Sequence, residues 1–111
     1  MPQYMLLLYR SEEEAAAAAA RSEGPLWGEF TEALREAGLL LGMGQLQPVG
    51  SATTVRVRDG EADLTDGPYA VTKELLAGYY LLECADLDEA LRQAARVPLA
   101  RYGSVEVRPL V

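Results

Sequence analysis

Apolar and polar positions follow two different spacings along this chain, and together they predict a mixed order of strands and helices. Short apolar runs or strict alternation predict six strands. The predicted strands are Gln3–Tyr9, Leu39–Leu46, Thr53–Arg58, Glu61–Thr65, Gly78–Cys84 and Gly103–Arg108. Asp59-Gly60 is a strong hairpin turn between the third and fourth strands. Lys73–Leu76 is predicted to be an irregular loop or a short helical turn.

Helical spacing fills the two long intervals between strands. Ser11 to Glu14 forms a capping-box pattern ahead of an alanine run, where helix propensity is highest. Gly24-Pro25 interrupts this helix and begins a second one, with Ser22 or Gly24 as its cap; Gly38 ends it. Asp86 caps a last helix that Pro98 ends. The predicted apolar face of that last helix is Leu87, Ala90, Leu91, Ala94 and Ala95.

The order is strand, helix, strand, then a hairpin, then strand, helix, strand. It predicts a single α+β domain over residues 1–111, with a ferredoxin-like antiparallel sheet and helices on one face. Tyr and Leu residues occupy both faces of Gly78–Cys84, so the second sheet face is also apolar. An apolar face without helices requires a partner. We therefore predict a homodimer whose free sheet faces oppose each other.

The charge, the apolar runs and the cysteine content of the chain argue against several classes of function. Seventeen acidic residues against ten basic ones give a net charge of −7, without a basic cluster. Binding to nucleic acid or to an anionic membrane surface is therefore not expected. No apolar run approaches the roughly 20 residues of a membrane helix, and the N-terminus does not resemble a secretory signal. A single cysteine excludes an internal disulfide, and a cytoplasmic location is predicted.

The chain contains no histidine. This excludes an imidazole base, a Ser-His or Cys-His pair and histidine metal ligands. No metal site or cofactor is predicted. Cys84, the lone cysteine, is interpreted as a small core residue, and Glu106 and Arg108 as cross-strand charge partners.

The stretch TDGPYAVTKELLAGYY, Thr65–Tyr80, carries the candidate chemistry. Asp66-Gly67-Pro68 is either a plain turn or a turn that presents the Asp66 carboxylate as a base at the mouth of a cleft. In the second case, Lys73 or Arg108 would hold an anionic group of the substrate. Four tyrosines either line a ligand pocket or pack in a dimer interface. They are Tyr9, Tyr69, Tyr79 and Tyr80.

Several motifs occur together in a recognisable order. They are YMLLLY, FTEALREAG followed by LQP, TTVRVRDG, TDGPYAVTKELLAGYYLLE, DLDEAL and GSVEVRP, which run from Tyr4 to Pro109. With them the chain resembles YCII-related proteins of the DGPF-domain type. The resemblance implies a dimeric α+β barrel, usually without an assigned reaction and often encoded beside or fused to sigma factors of the extracytoplasmic-function class. A few similar proteins look like enzymes, including a dehydrochlorinase.

The chain departs from the family pattern at three points. The His–Asp pair that YciI-like members carry cannot be present here, since there is no histidine. Tyr69 stands where Phe is usual, and Val71 stands where an acid is common. Our leading hypothesis is a dimeric ligand-binding or regulatory module linked to sigma-factor systems. The alternative is a small lyase or dehydrochlorinase-like enzyme acting on an aromatic or anionic substrate, with Asp66 as base and Lys73 orienting. A purely structural dimer is the third possibility.

Overall fold

The computed structural model describes all residues from Met1 to Val111 and shows a mixed α+β chain. The strands are β1 (Gln3–Arg10), β2 (Leu40–Gln45), β3 (Thr53–Arg58), β4 (Glu61–Asp66), β5 (Leu75–Glu83) and β6 (Ser104–Pro109). The helices are α1 (Glu12–Arg21), α2 (Gly24–Glu36) and α3 (Leu87–Arg96), and short 3-10 turns lie at Val49–Ser51 and Pro98–Arg101. None of the helices has the length and apolar character needed to cross a membrane.

Four strands form the main sheet in the order β2-β5-β1-β6, and each neighbouring pair is antiparallel. The chain passes through α1 and α2 between β1 and β2, and through α3 between β5 and β6. Each helical connection therefore joins strands that are not neighbours, as in a split βαβ arrangement. The predicted α+β class with an antiparallel sheet is confirmed, and the strand order is compatible with the ferredoxin-like arrangement.

The core lies between the helices and one face of this sheet. Alternate residues of β1 and β5 point into it, as the period of a strand requires. Its buried side chains include Tyr4, Leu6, Leu8, Tyr80 and Leu82 from the sheet, Phe30 and Leu34 from α2, and Ala90 and Ala94 from α3. Cys84 is buried in the same cluster, as predicted. Burial of each large apolar side chain stabilises the fold by roughly 1.5–3 kcal/mol.

Helix starts agree well with the sequence, with one correction. The Ser11 hydroxyl accepts a hydrogen bond from the amide of Glu14 at 3.1 Å, and the Asp86 carboxylate accepts one from the amide of Glu89 at 2.9 Å. These bonds satisfy amides that a helix cannot satisfy itself. The cap of α2 is Glu23 instead of the predicted Ser22 or Gly24. Ser22 is instead the left-handed residue that ends α1, with φ of 55°.

Two other details differ from the predictions. Strand β5 begins at Leu75, inside the segment predicted to be a loop or helical turn, because β1 extends far enough to pair with it. On α3, Leu87 and Leu91 are exposed, although the apolar stripe placed them in the core. The helix approaches the sheet through its smaller residues Ala90 and Ala94, so the leucines lie beside the contact.

Strands β3 and β4 form a separate hairpin that projects from the body. Asp59 and Gly60 both have positive φ, as a two-residue hairpin turn requires. None of the residues in the two strands is buried. The radius of gyration is 15.7 Å, against the ~13 Å typical of a compact chain of this length. The hairpin therefore extends away from the core, with an apolar face formed by Val55, Val57 and Leu64.

Candidate functional site

A cleft of about 810 Å³ lies between α1, α2 and the helix-side face of the sheet. Its walls are formed by side chains of α1 and α2 and by residues near one end of each of the strands β1, β2 and β5. The residues that define it best are Arg10, Ala15, Ala18, Trp27, Thr31 and Tyr80.

The alanine run of α1 explains why this space is empty. Ala15, Ala18 and Ala19 are three and four residues apart, so they share one helix face, and all three line the cleft. Only Ala18 among the residues of α1 is buried. A methyl group cannot reach across to the sheet as a leucine would, and α1 therefore covers the sheet without filling the space beneath it.

Tyr80 forms the floor of the cleft and is held from three sides. Its hydroxyl lies 2.7 Å from the Thr31 hydroxyl. The edge of Phe30 meets its ring at 5.3 Å between centroids, and the Trp27 ring lies parallel to it at 6.5 Å. Burial raises the pKa of the Tyr80 phenol above its ordinary value. At neutral pH the group is therefore an uncharged hydrogen-bonding hydroxyl and does not act as a base.

A second cluster closes the corner between α1 and α2. The Tyr102 hydroxyl donates a hydrogen bond to Glu23 at 2.8 Å, and Arg21 donates to the other oxygen of the same carboxylate at 3.0 Å. The Arg21 guanidinium also lies 4.8 Å from the Tyr102 ring centroid. The hydrogen bond from Tyr102, followed by that from Arg21, lowers the pKa of Glu23. The carboxylate of Glu23 is thus ionised and fully engaged.

The cleft contains no free acid–base pair. Besides Glu23, its acidic group is Glu32, which accepts a hydrogen bond from Arg35 at 2.8 Å. Arg10 takes part in none of the ion pairs of the chain. It also lines an adjoining cavity of about 320 Å³. No three His, Cys, Asp or Glu side chains converge closely enough to form a metal site.

Apart from Tyr80, the site residues predicted from the sequence fall into two separate groups, and neither group borders the two cavities. The first group surrounds the base of the hairpin. Asp66 is the exposed last residue of β4, and the amide of Gly67 donates to the Ala52 carbonyl at 2.8 Å. Tyr69 is 78% exposed beneath the Arg56 guanidinium. Lys73 lies in the exposed loop that follows. Their proposed chemistry stays a prediction.

The second group lies on the sheet face opposite the helices. Tyr9, Tyr79 and Arg108 share that face through the pairing of β1 with β5 and β6. Tyr79 covers Gly44, where a Cβ atom would come within 2.7 Å of the tyrosine ring. Arg108 binds Glu106 of its own strand, which corrects the predicted cross-strand pairing. The TDGPY stretch and this face are therefore different regions of the molecule.

Sequence reasoning missed several residues of the cleft. Neither Trp27 nor Arg10 is among the site residues that the sequence predicts. A usable signal did exist, because Trp27 and Thr31 are four residues apart on α2 and so project from the same face. Tyr80 was among the tyrosines proposed for a pocket, and it is the one that borders the cleft.

Comparison with known proteins identifies the family of the chain. The family model that describes the YCII-related domain matches residues 2–111 of this chain. An uncharacterised protein from Rhizobium meliloti (strain 1021) is 39% identical over 112 residues, which covers 96% of this chain and 90% of that protein. The chain therefore belongs to the YCII-related family, and this relative carries no assigned function.

Proposed function

We propose that the protein is a small-molecule-binding module whose ligand occupies the cleft beneath α1. The observation that carries this proposal is the cleft itself, whose volume of about 810 Å³ falls within the roughly 300–1,000 Å³ of ligand sites. Its lining also has the character of such sites. Apolar side chains, among them alanines, Trp27 and Tyr80, line part of it, and polar groups such as Thr31, Gln45 and Arg10 provide orientation.

The chemistry of the cleft supports binding over turnover. Both of its carboxylates, Glu23 and Glu32, are already paired with arginines. Its buried hydroxyl, that of Tyr80, is bonded to Thr31 and stays neutral. General acid–base catalysis needs a group that can take up or release a proton near the working pH. The rival hypothesis, in which Asp66 is a base, would need an enclosed site elsewhere, because Asp66 is exposed at the end of β4.

Trp27 provides a direct test, since it is the only tryptophan in the chain and lines the cleft. We expect small aromatic compounds to shift the single indole N–H signal of Trp27 in a saturable way in ¹H–¹⁵N NMR spectra. Ala15→Leu should fill the cleft and abolish that shift. Ala16→Leu is the matched control, because Ala16 is exposed on the same helix. A Trp27 signal that no compound moves, or an equal loss in both variants, would refute the proposal.

We further propose that the module acts as a homodimer, formed through the sheet face that the helices leave open, as a dimeric α+β barrel. Met5, Leu7 and Leu81 lie on this face and are only partly buried within one chain. Association would complete their burial, which is the main favourable term in forming such an interface. Tyr79 would then contribute to the interface, as one interpretation of the sequence holds.

The dimer can be tested with two leucines of the same size. Leu81→Lys places a charge on the open face, whereas Leu91→Lys places one on the exposed side of α3. We expect the first variant to sediment as a monomer and the second as a dimer at micromolar concentration in analytical ultracentrifugation. A monomeric parent protein, or dissociation caused by Leu91→Lys, would rule out this interface.

The DGPF-type assignment and the link to sigma-factor systems rest on the resemblance of the TDGPY stretch and its neighbouring motifs. A module of this kind would work in the cytoplasm. It would bind a transcription regulator in a way that depends on whether the cleft holds a ligand. The test is a binding measurement between the purified protein and the sigma factor encoded nearest to its gene, with and without a cleft ligand. If no complex forms in either state, the regulatory part of the proposal fails while the binding part stands.

A further inference from the structure

Arg10 is the polar residue best placed to select a ligand. It is the last residue of β1, and it lines both the cleft and the adjoining cavity of about 320 Å³. Its side chain is partly buried. Arg10 and apolar side chains line the same cleft, so a ligand that fills the cleft would contact both.

Arg10 differs from the other arginines near the cleft because it has no anionic partner. Arg35 is paired with Glu32 at 2.8 Å, and Arg21 is paired with Glu23 at 3.0 Å. Burial raises the pKa of the Tyr102 phenol, and the hydrogen bond of that phenol with Glu23 adds to the shift, whereas the neighbouring Arg10 guanidinium opposes it. The charge of Arg10 is therefore available to an anion from outside the chain, because none of the three ion pairs of the chain includes it.

The aromatic and alanine side chains of the cleft suit a flat apolar group. Trp27 and Tyr80 present parallel rings, with an interplanar angle of 3°. The alanine face of α1 forms a smooth wall with no branched side chain, and Met43 lies at the rim of the same space. Aromatic rings and small aliphatic groups of this kind pack well against a planar ligand.

We propose that the ligand is a small aromatic carboxylate, with its carboxylate on Arg10 and its ring between the alanine face of α1 and Trp27. This inference rests on the proposed function, because it specifies what the cleft binds. The planar guanidinium can donate two parallel hydrogen bonds to a carboxylate, which a neutral amide of the same shape cannot accept in the same way. The negative charge of the ligand would supply the partner that Arg10 lacks.

A matched pair of probes tests the inference separately from the proposed function. Biphenyl-4-carboxylate and biphenyl-4-carboxamide have the same shape and differ in charge. We expect the carboxylate to shift the Trp27 indole signal with a Kd about 10-fold lower than that of the amide, the size of effect a charge-assisted pair produces. If both probes bind equally, the inference is wrong and the proposed function stands. If neither moves the Trp27 signal at millimolar concentration, the proposed function itself fails.

Variants of Arg10 test whether this residue causes the preference for the carboxylate probe over the amide. Arg10→Gln should make the two probes bind alike, and Arg10→Lys should keep part of the preference for the carboxylate, because it keeps the charge without the planar fork. Arg35→Gln is the control, since Arg35 lines the same cleft but is already paired. A carboxylate preference that survives in Arg10→Gln, or that is lost in Arg35→Gln, would overturn the assignment. If a variant fails to fold, the difference between the two probes in the parent protein still tests the inference.

Discussion

The two faces of the main sheet are built from the same strands but are covered to different degrees. On the helix-side face, Leu6 and Leu82 are completely buried. On the other face, Leu7 and Leu81 are only partly buried. Side chains alternate along a strand, so each neighbouring pair places the same chemistry in two environments. The difference shows that one chain covers only one face of its sheet with helices.

The two faces therefore have different tasks. The helix-side face carries the core and the cleft, so its side chains decide both the stability of the chain and the shape of the cleft. The open face contributes less to the stability of one chain and has apolar surface available for association. Substitutions on the first face should change the free energy of unfolding, whereas those on the second should change how stability depends on protein concentration.

The largest effect is expected for leucines 81 and 82 of β5. Leu82→Ala removes a fully buried side chain and should reduce the free energy of unfolding by about 2–5 kcal/mol. Leu81→Ala should cost about 1 kcal/mol or less at low concentration, because that side chain is already partly in water. Denaturant unfolding at several protein concentrations measures both. Equal losses for the two variants at low concentration would remove the distinction between the faces.

Substitutions at Gly78 and Gly44 compare how closely the backbone is packed on the two faces of the sheet. A Cβ atom on Gly78 would lie 2.7 Å from the Gly44 carbonyl oxygen, which belongs to the neighbouring strand and cannot move alone. Gly78→Ala should therefore cost about 1–3 kcal/mol. A Cβ atom on Gly44 would meet only the ring of Tyr79, which can turn aside on the open face.

We expect Gly44→Ala to cost less than about 1 kcal/mol, as small surface changes generally do. Gly42→Ala is the control on the same strand, because the space around Gly42 is empty. Thermal unfolding of the three variants would rank them. A larger loss for Gly44→Ala than for Gly78→Ala would show that the open face is as rigidly packed as the core.

Much of the fold was predictable because its signals are local. Asp59-Gly60 sets the turn of the hairpin, and Asp86 caps α3 through a bond to a residue three positions away. The alternation within β5 correctly indicated a sheet that is apolar on both faces. Such features depend on residues close together in sequence, where propensity and periodicity act directly.

The cleft could not be predicted in the same way, because empty space is a property of how distant elements approach. The alanine run indicated a helix with small side chains, but it did not show that Ala15 and Ala18 would face the sheet across a gap. The bond between Thr31 and Tyr80 joins residues 49 positions apart. Asp66, by contrast, belongs to a turn with a distinctive sequence, and the structure places that turn at the base of an exposed hairpin.

The smallest difference in the free energy of unfolding is expected between variants of the neighbouring residues Tyr79 and Tyr80. It measures how firmly the Tyr80 side chain is held at the floor of the cleft. Tyr80→Phe removes the hydroxyl bonded to Thr31 and should cost about 0.5–1.5 kcal/mol at neutral pH, because it leaves a part-buried hydroxyl without its partner. Tyr79→Phe changes only the open face and should leave the stability of one chain nearly unaltered. Denaturant unfolding at low protein concentration compares the two.

Tyr80→Phe should also differ from the parent protein at alkaline pH. Burial raises the pKa of Tyr80 in the folded chain above its ordinary value of 10.0. The native state therefore holds the phenolic proton more tightly than the unfolded state does. This contribution to stability is complete below about pH 10 and is lost as pH rises through the pKa of the folded state.

Cys84 and Tyr102 also have raised pKa values, so only the difference in stability between the parent protein and the Tyr80→Phe variant isolates the contribution of Tyr80. The free energy of unfolding should fall less steeply above pH 10 in Tyr80→Phe than in the parent. Identical slopes in the two proteins would mean that the Tyr80 phenol is hydrated in the folded chain.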